Sequence, residues 1–289
     1  MKASKQLSLT KTIQDHYQGL TSKGKILADF VQSRPDKAVF MTTRQLAAAV
    51  DVSEATVVRF VRQLNFTSYS LFIDKLRKHI DIELTLLDRN KLAQPFVRNG
   101  DGLLEKMLTQ NIEDIKSLSQ SIDLNGIKNV RDLIRNAKSV HIIGSRVSYS
   151  FASHMSWTLS KLRPEVHLLK GSDTTCIDRL AFIDPDSVVV IIATTRYPND
   201  LIKLGKLVRR QGLKMILLTE SSTCPLSPIS DQILIAPSTS IPYLNASISL
   251  LCLINFLVQS LTTDMGEELQ RHQQKLEQVY LENDVLFLQ

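Results

Sequence analysis

The sequence predicts an all-α domain over residues 1–82 and, behind it, a three-layer α/β sandwich built on a five-stranded parallel sheet. Three observations predict this. Helical periodicity runs almost unbroken to Ile80. After Lys138 it gives way to short apolar runs, mostly β-branched, with helical segments between them, as strands covered on both faces require. The charge is also unevenly placed: residues 1–81 hold 13 Lys and Arg against 7 Asp and Glu, and the remainder holds 22 against 22, so the whole +6 excess lies on the first part. A chain of 289 residues is long enough for two domains, each with its own core.

Taken in order, residues 1–20 predict a short helix with Ile13, Tyr17 and Leu20 on one face. Thr21–Gln32 predicts a second helix that buries Leu27, Phe30 and Val31 and is stopped by Pro35. Met41–Phe66 then reads as a helix-turn-helix. Thr42 and Gln45 fit a capping box, and Leu46, Ala47 and Val50 form the apolar stripe. Asp51, which tolerates the left-handed region better than most residues, fills the turn, and Val52 plugs the core behind it. Ser53 caps the second helix, whose buried face is Val57, Phe60, Val61 and Leu64.

The outward face of that helix carries Ala55, Arg59 and Arg62 at i, i+4, i+7, with Thr56 and Gln63 beside them and Ser53 and Glu54 at the tip. A small residue near the tip permits close approach to a major groove, and the guanidinium groups suit guanine or phosphate. Thr43, Arg44, Ser53, Glu54, Ala55, Thr56, Arg59 and Arg62 are therefore the predicted contacts to double-stranded DNA; the competing reading is a solvated face on an ordinary helical pair. Tyr69–Ile80 predicts a closing helix with Leu71, Phe72, Leu76 and Ile80 inward and Lys75, Arg77 and Lys78 outward.

Pro95, Asn99, Gly100 and Gly102 punctuate a linker, and Leu103, Leu104, Met107, Leu108, Ile112, Ile115 and Leu118 recur at helical spacing in a connecting helix; 83–125 is assigned to this join and 126–289 to the second domain. A helix over Gly126–Asn136 precedes five strands: Val140–Ile143, Val166–Leu169, Val188–Ala193, Met215–Thr219 and Ile233–Ala236. Between and after them come helices at Ser148–Leu162, Thr174–Ala181, Pro198–Gln211, a short one at Pro225–Ser230, and Tyr243–Leu261. Right-handed crossovers then give a parallel sheet, for which the order 2-1-3-4-5 is expected. Gly266–Leu281 closes the chain as a polar helix suited to packing or dimerisation.

In such a sheet a ligand sits beyond the carboxyl ends of the strands, at the switch between strands one and three. Two loops qualify. Gly144, Ser145, Arg146 and Ser148 follow the first strand; Thr194, Thr195, Arg196, Tyr197 and Asn199 follow the third. Hydroxyls, two Arg and helix N-termini there predict an anion site. The alternative is that Arg146 and Arg196 pair with Asp173, Asp178 or Asp200.

The stretch LTSKGKILADFVQSRPDKAVFMT followed by LAAAVDVSEATVVRFVRQLNF resembles the N-terminal domain of the RpiR/MurR family of bacterial regulators, and Ile127–Leu261 resembles the sugar-isomerase (SIS) domain that follows it in that family. The framework matches in IIGSRVSYSFASHM, in DPDSVVVIIATTRYPNDLIKLGKLVRRQGLKMILLTE and in CPLSPISDQILIAP. Gly24 stands where the family usually has a capping Glu, and Asn65 replaces a common Gly. Sugar-phosphate binders of the family usually carry GxGxS in the first loop and a Ser-x-Ser-Gly-Glu/x-Thr run in the second; here Arg146 replaces the second Gly, Ser148 keeps its place, and TTRYPND has lost the Gly and Thr pattern. Two Arg suit carboxylate as well as phosphate.

The resemblance implies a transcription regulator that senses a small anionic metabolite, a sugar phosphate or a carboxylate, and works as a homodimer or homotetramer on a DNA operator. Two competitors are a SIS-fold sugar-phosphate isomerase and a DNA-binding regulator with a vestigial pocket. Isomerase chemistry needs a general base, yet His141, His154 and His167 read as packed or exposed, and Glu165 and Glu220 as ordinary surface positions. Catalytic residues, metal ligands and cofactors are therefore expected to be none. Cys176, Cys224 and Cys252 are widely spaced without a CxxC, which suggests neither a disulfide framework nor a zinc site. The longest apolar run, Ile248–Val258, is too short for a bilayer, and the N-terminus lacks an apolar signal region, so no membrane and a cytoplasmic location are expected.

Overall fold

A computed structural model of the chain describes residues 9–39, 41–73, 75–76, 102–238 and 247–285, and the chain divides into two compact units, Met1–Pro95 and Phe96–Gln289.

In the first unit, α1 (Leu9–His16) runs into a single 3-10 turn, Tyr17–Gly19. In α2 (Ser22–Ser33) the Thr21 hydroxyl accepts the Gly24 N–H at 3.2 Å, so half of a capping box survives without the carboxylate that a Glu at 24 would add. Pro35 stops α2 and at once begins α3 (Pro35–Ala38), because proline is suited to a first helical turn. The helix-turn-helix is α4 (Thr43–Ala49) and α5 (Glu54–Gln63). Thr42 and Gln45 close the expected capping box, and Asp51 turns the chain with φ 53°. Asn65 leaves α5 at φ 65°, its side chain hydrogen-bonded to His16 at 3.0 Å, which ties the end of α5 to α1.

The core of this unit gathers Leu27, Val31, Leu46, Val57, Phe60 and Val61 around Phe72, which meets Phe60 and Phe66 edge to face. Residues 69–73 and 75–76 are helical, and one expectation changes there: Leu71 is exposed, and Ile73 takes the inward place beside Phe72 and Leu76. Tyr69 explains the rotation, since its hydroxyl donates to the Met41 carbonyl at 2.8 Å and pins that face against the start of the helix-turn-helix. Arg77, Lys78, Ile80 and the expected linker before Gly102 lie outside the described residues.

In the second unit, α6 (Leu103–Ser121) and α7 (Leu124–Asn136) lead to β1 (Val140–Gly144), α8 (Val147–Ser160), β2 (Val166–Lys170), α9 (Thr175–Ala181), β3 (Val188–Ala193), α10 (Asn199–Arg210), β4 (Lys214–Thr219), a 3-10 turn at Ser227–Ile229, β5 (Gln232–Ile235), α11 (Ile248–Leu261) and α12 (Gly266–Glu282). All pairings are parallel, in the order β2-β1-β3-β4-β5, with Val140 aligned to both Val166 and Val188. Alternate side chains of the strands feed two cores. Val140, Ile142 and Val190 meet α7, α8 and α11; Ile143, Val189 and Ile191 meet α9 and α10. That is the three-layer sandwich. The start expected for α11 at Tyr243 lies outside the described residues. Among those residues no single helix is long and apolar enough to cross a membrane.

Candidate functional site

Two groups of residues, one in each unit, are the candidates. On α5 the buried face of Val57, Phe60 and Val61 turns Ala55, Arg59 and Arg62 outward, and all three are exposed. Ser53 accepts the Thr56 N–H at 3.2 Å, and its hydroxyl also meets that of Thr56 at 2.8 Å. Glu54 and Arg44 are exposed, while Thr43 and Thr56 are half-buried. The arrangement offers a rigid, capped helix with two cations on one open face, and the tip that would enter a groove is narrow because residue 55 is Ala.

The second group lies along the carboxyl edge of the sheet. Gly144 ends β1 where a Cβ would stand 2.4 Å from the Ser148 carbonyl oxygen and 2.8 Å from Ala152 Cβ, so glycine allows α8 to begin directly over the strand end. Ser148 is buried and folds the loop on itself: its hydroxyl donates to the Ser145 carbonyl and accepts the Ser145 N–H, both at 2.9 Å. The Ser145 hydroxyl is buried and has no hydrogen-bond partner among the described residues. Arg146 is the N-cap of α8 at φ 55°, ψ −127°, a conformation that costs a non-glycine residue about 1–3 kcal/mol. It makes no side-chain cap; the Ser148 and Tyr149 N–H groups instead donate to the Ser145 and Arg146 carbonyls at 3.2 and 3.1 Å, which tightens the first turn of α8.

After β3, Arg196 also takes positive φ, at 62°, and α10 begins at Asn199 behind an uncapped Pro198. Gly144 is aligned with Ile192, which sets the two loops side by side on neighbouring strands. Arg146 and Arg196 are both exposed, and among the described residues neither guanidinium has an acidic partner. Two of the three carboxylates considered as partners are used elsewhere: Asp173 accepts the Thr175 N–H at 3.0 Å, which holds its pKa below the usual carboxylate range, and Asp200 stands 3.8 Å from Lys203.

Three placements differ from the sequence reading. Tyr197 packs into the core on the α10 side, its hydroxyl buried beside Thr219, Thr223 and Cys224; burial pushes its pKa up, so it walls the loop from behind as a neutral phenol. Glu220 is buried at the end of β4, where it accepts the Thr195 N–H at 2.9 Å. β4 runs on to this edge and carries its next residue under the β3 loop. Thr194 and Ser221 are buried at the same edge. Sequence reasoning stopped at strands one and three; an acid directly behind an apolar strand was the signal for the third contributor. Ser172 and Thr174, which follow β2, border a hollow of about 450 Å³ together with Ile177, Lys203, Leu204 and Arg210. A second hollow, of about 570 Å³, lies at the opposite, amino edge beside Asp132, Asp186 and Lys214.

The histidines and cysteines of this unit make contacts within the fold. His154 bonds Asn255 at 2.7 Å between α8 and α11. His141 stacks on His167 across β1 and β2, centroids 4.8 Å apart. Burial lifts Cys176 to about 11 and raises Cys224, which keeps both thiols protonated.

Comparison with known proteins agrees with this two-part build. Residues 7–82 match the helix-turn-helix domain of the rpiR family, and residues 133–263 match the SIS domain. An uncharacterised HTH-type transcriptional regulator of Clostridium perfringens is 28% identical over 86% of the chain and 88% of its own length. The regulator HexR of Pseudomonas aeruginosa is 23% identical over 94% and 95%. Among solved structures, the sugar isomerase domain of an RpiR transcription factor from Sphaerobacter thermophilus superposes with a TM-score of 0.59 at 20% identity, over 62% of the chain and 99% of that domain. NanR of Vibrio vulnificus, solved with ManNAc-6P, gives 0.58 at 18%, over 94% and 98%.

Proposed function

The chain belongs to the rpiR family of helix-turn-helix regulators, with a SIS domain behind the reading head, and we propose that it regulates transcription under the control of a small anionic metabolite, a sugar phosphate or a carboxylate. The head, to about residue 82, reads DNA through Arg59, Arg62, Ala55 and the tip residues Ser53, Glu54 and Thr56, with Thr43 and Arg44 at the start of α4. Residues 83–125 join it to the sensing domain at 126–289. The protein acts in the cytoplasm, where its operator is, and as an oligomer, since one helix-turn-helix reads only a half-site.

One observation carries the effector reading: Arg146 and Arg196 both hold positive φ, both are exposed, and each stands just before a helix N-terminus that no side chain caps. Strain that persists at a ligand-binding edge points to a function. The uncapped start of α10 and two guanidinium forks suit an anion, with Thr195 and Asn199 as neutral groups beside them and the buried Ser145, Ser148 and Thr194 shaping the loops from behind. NanR, bound to a sugar phosphate on the same fold, supports this choice of ligand class. Filling the crevice would bias the packing of α8 or α11 against a neighbouring subunit, and so the spacing of the reading heads, if the two arrangements bind the ligand unequally.

The test is fluorescence anisotropy of the full chain on operator-sized duplexes, with and without ManNAc-6P and a panel of sugar phosphates and sugar acids. The expected result is a metabolite-dependent shift in operator affinity that Arg146→Ala and Arg196→Ala abolish without weakening DNA binding. Unchanged metabolite affinity in both variants by calorimetry would rule the crevice out. Arg59→Ala should cost about 1–3 kcal/mol of operator affinity and relax sequence preference. A second reading has one observation in its favour: the buried Glu220 carboxylate lies at the ligand edge, where a sugar-phosphate isomerase would need a base. Turnover of a sugar phosphate that Glu220→Gln abolishes would establish it.

A further inference from the structure

The connecting helix α6 forms as its spacing requires, yet most of its apolar side chains are not covered. Leu118 and Asp114 face inward, Leu118 against the α7, α8 and α11 core. On the next face round, Leu104, Leu108, Ile112 and Ile115 stand at i, i+4, i+8 and i+11 and are 70%, 52%, 50% and 38% exposed, while Met107, on the side of Asp114 and Leu118, is 37% exposed. A straight stripe of branched side chains over three turns of one helix is unlike the scattered apolar residues of an ordinary surface.

We infer that this stripe is the face on which two copies of the chain join, α6 lying antiparallel to α6 of the second copy across a two-fold axis near Gln110. The inference rests on the proposed operator reading only in that such reading needs a dimer. Charge selects the occupant and the direction. Glu105 and Lys116 are exposed and border the same side of the stripe, one near each end. Antiparallel pairing brings Leu108 against Ile112 of the second copy and sets each Glu105 beside a Lys116, whereas a parallel pair sets Glu105 level with its own copy. Area agrees as well. The stripe offers on the order of 400 Å² of apolar surface, close to the apolar share of a standard interface of about 800 Å² per partner.

Sedimentation equilibrium of the full chain, without DNA, tests this with Leu108→Glu and Ile112→Glu. Both positions are exposed, so the fold and its melting temperature should be unchanged while the particle mass falls to half. Glu105→Lys should weaken self-association roughly fivefold, and Glu105→Lys combined with Lys116→Glu should restore it. Unchanged mass in both glutamate variants overturns the inference. So does a lowered melting temperature at unchanged mass, which would mean that another segment of the same chain covers the stripe. A double exchange that stays as weak as the single one overturns the antiparallel arrangement. A chain that associates through α6 but prefers no duplex refutes the operator reading and leaves this surface standing.

Discussion

Arg146 carries its backbone at φ 55°, ψ −127°, in a region where glycine alone is at ease. Arg146→Gly should therefore raise stability by about 1 kcal/mol, seen as a higher melting temperature, while operator affinity stops responding to the effector. A stability gain with the response intact would make the strain incidental. His141 offers a second test at this scale. Burial, and then the neighbouring His167, push its pKa down to about 4, so the folded state keeps the ring neutral while an unfolded chain takes up the proton near 6.5. The unfolded state binds more protons between those values, so the stability held by the neutral ring is complete above pH 6.5 and is lost as pH falls toward 4. The ring is only half-buried, and solvent screening limits the effect to about 1–2 kcal/mol. Thermal melts of wild type and His141→Gln across that window should show a flatter acid limb in the variant; parallel limbs would remove His141 from the account. Arg146 was legible in the sequence as a residue in an unusual place, but its torsions were not, since they depend on how closely α8 crowds the end of β1 at Gly144.

The elements follow from local chemistry where local chemistry is strong. Thr42 with Gln45, Asp51 and Ser53 marked the ends and turn of the helix-turn-helix, and each takes the predicted role. Ser53→Ala should cost about 1 kcal/mol of thermal stability by leaving the Thr56 N–H unsatisfied. Asp51→Gly should be neutral or slightly stabilising, because glycine accepts φ 53° without a Cβ penalty. A larger loss at 51 than at 53, measured by thermal unfolding, would contradict the assigned turn. Elements were harder to read where periodicity shows an apolar face without saying what covers it. In α6 the spacing of Leu104, Leu108, Ile112 and Ile115 marked the helix, and the same spacing would have served a buried face. Leu71 and Ile73 exchanged places for the same kind of reason: a hydrogen bond from Tyr69 to Met41, distant in sequence, set the rotation of the helix.

At the scale of the molecule, the proposed function rests on coupling between a basic reading head and a neutral sensing domain. Coupling of this kind is reciprocal. If the effector changes operator affinity tenfold, operator duplex must change effector affinity by the same factor, about 1.4 kcal/mol, which calorimetry on the two binary complexes can measure. Unequal factors would show that the two ligands do not share one pair of states. Taken alone, the sequence determined the division into an all-α head and an α/β body, the alternation of strands and helices in that body and the faces of α5. These are set by hydrophobic period, caps and crossover handedness, all of which act between near neighbours or through general rules of chain geometry. Only the tertiary structure decided the order of the strands, that Glu220 is buried at the carboxyl edge of the sheet, that Tyr197 packs behind the β3 loop, that Arg146 is strained and that α6 keeps an open stripe. Each depends on contacts between residues far apart in the chain, and burial, strain and exposure are properties of such contacts that no local pattern carries.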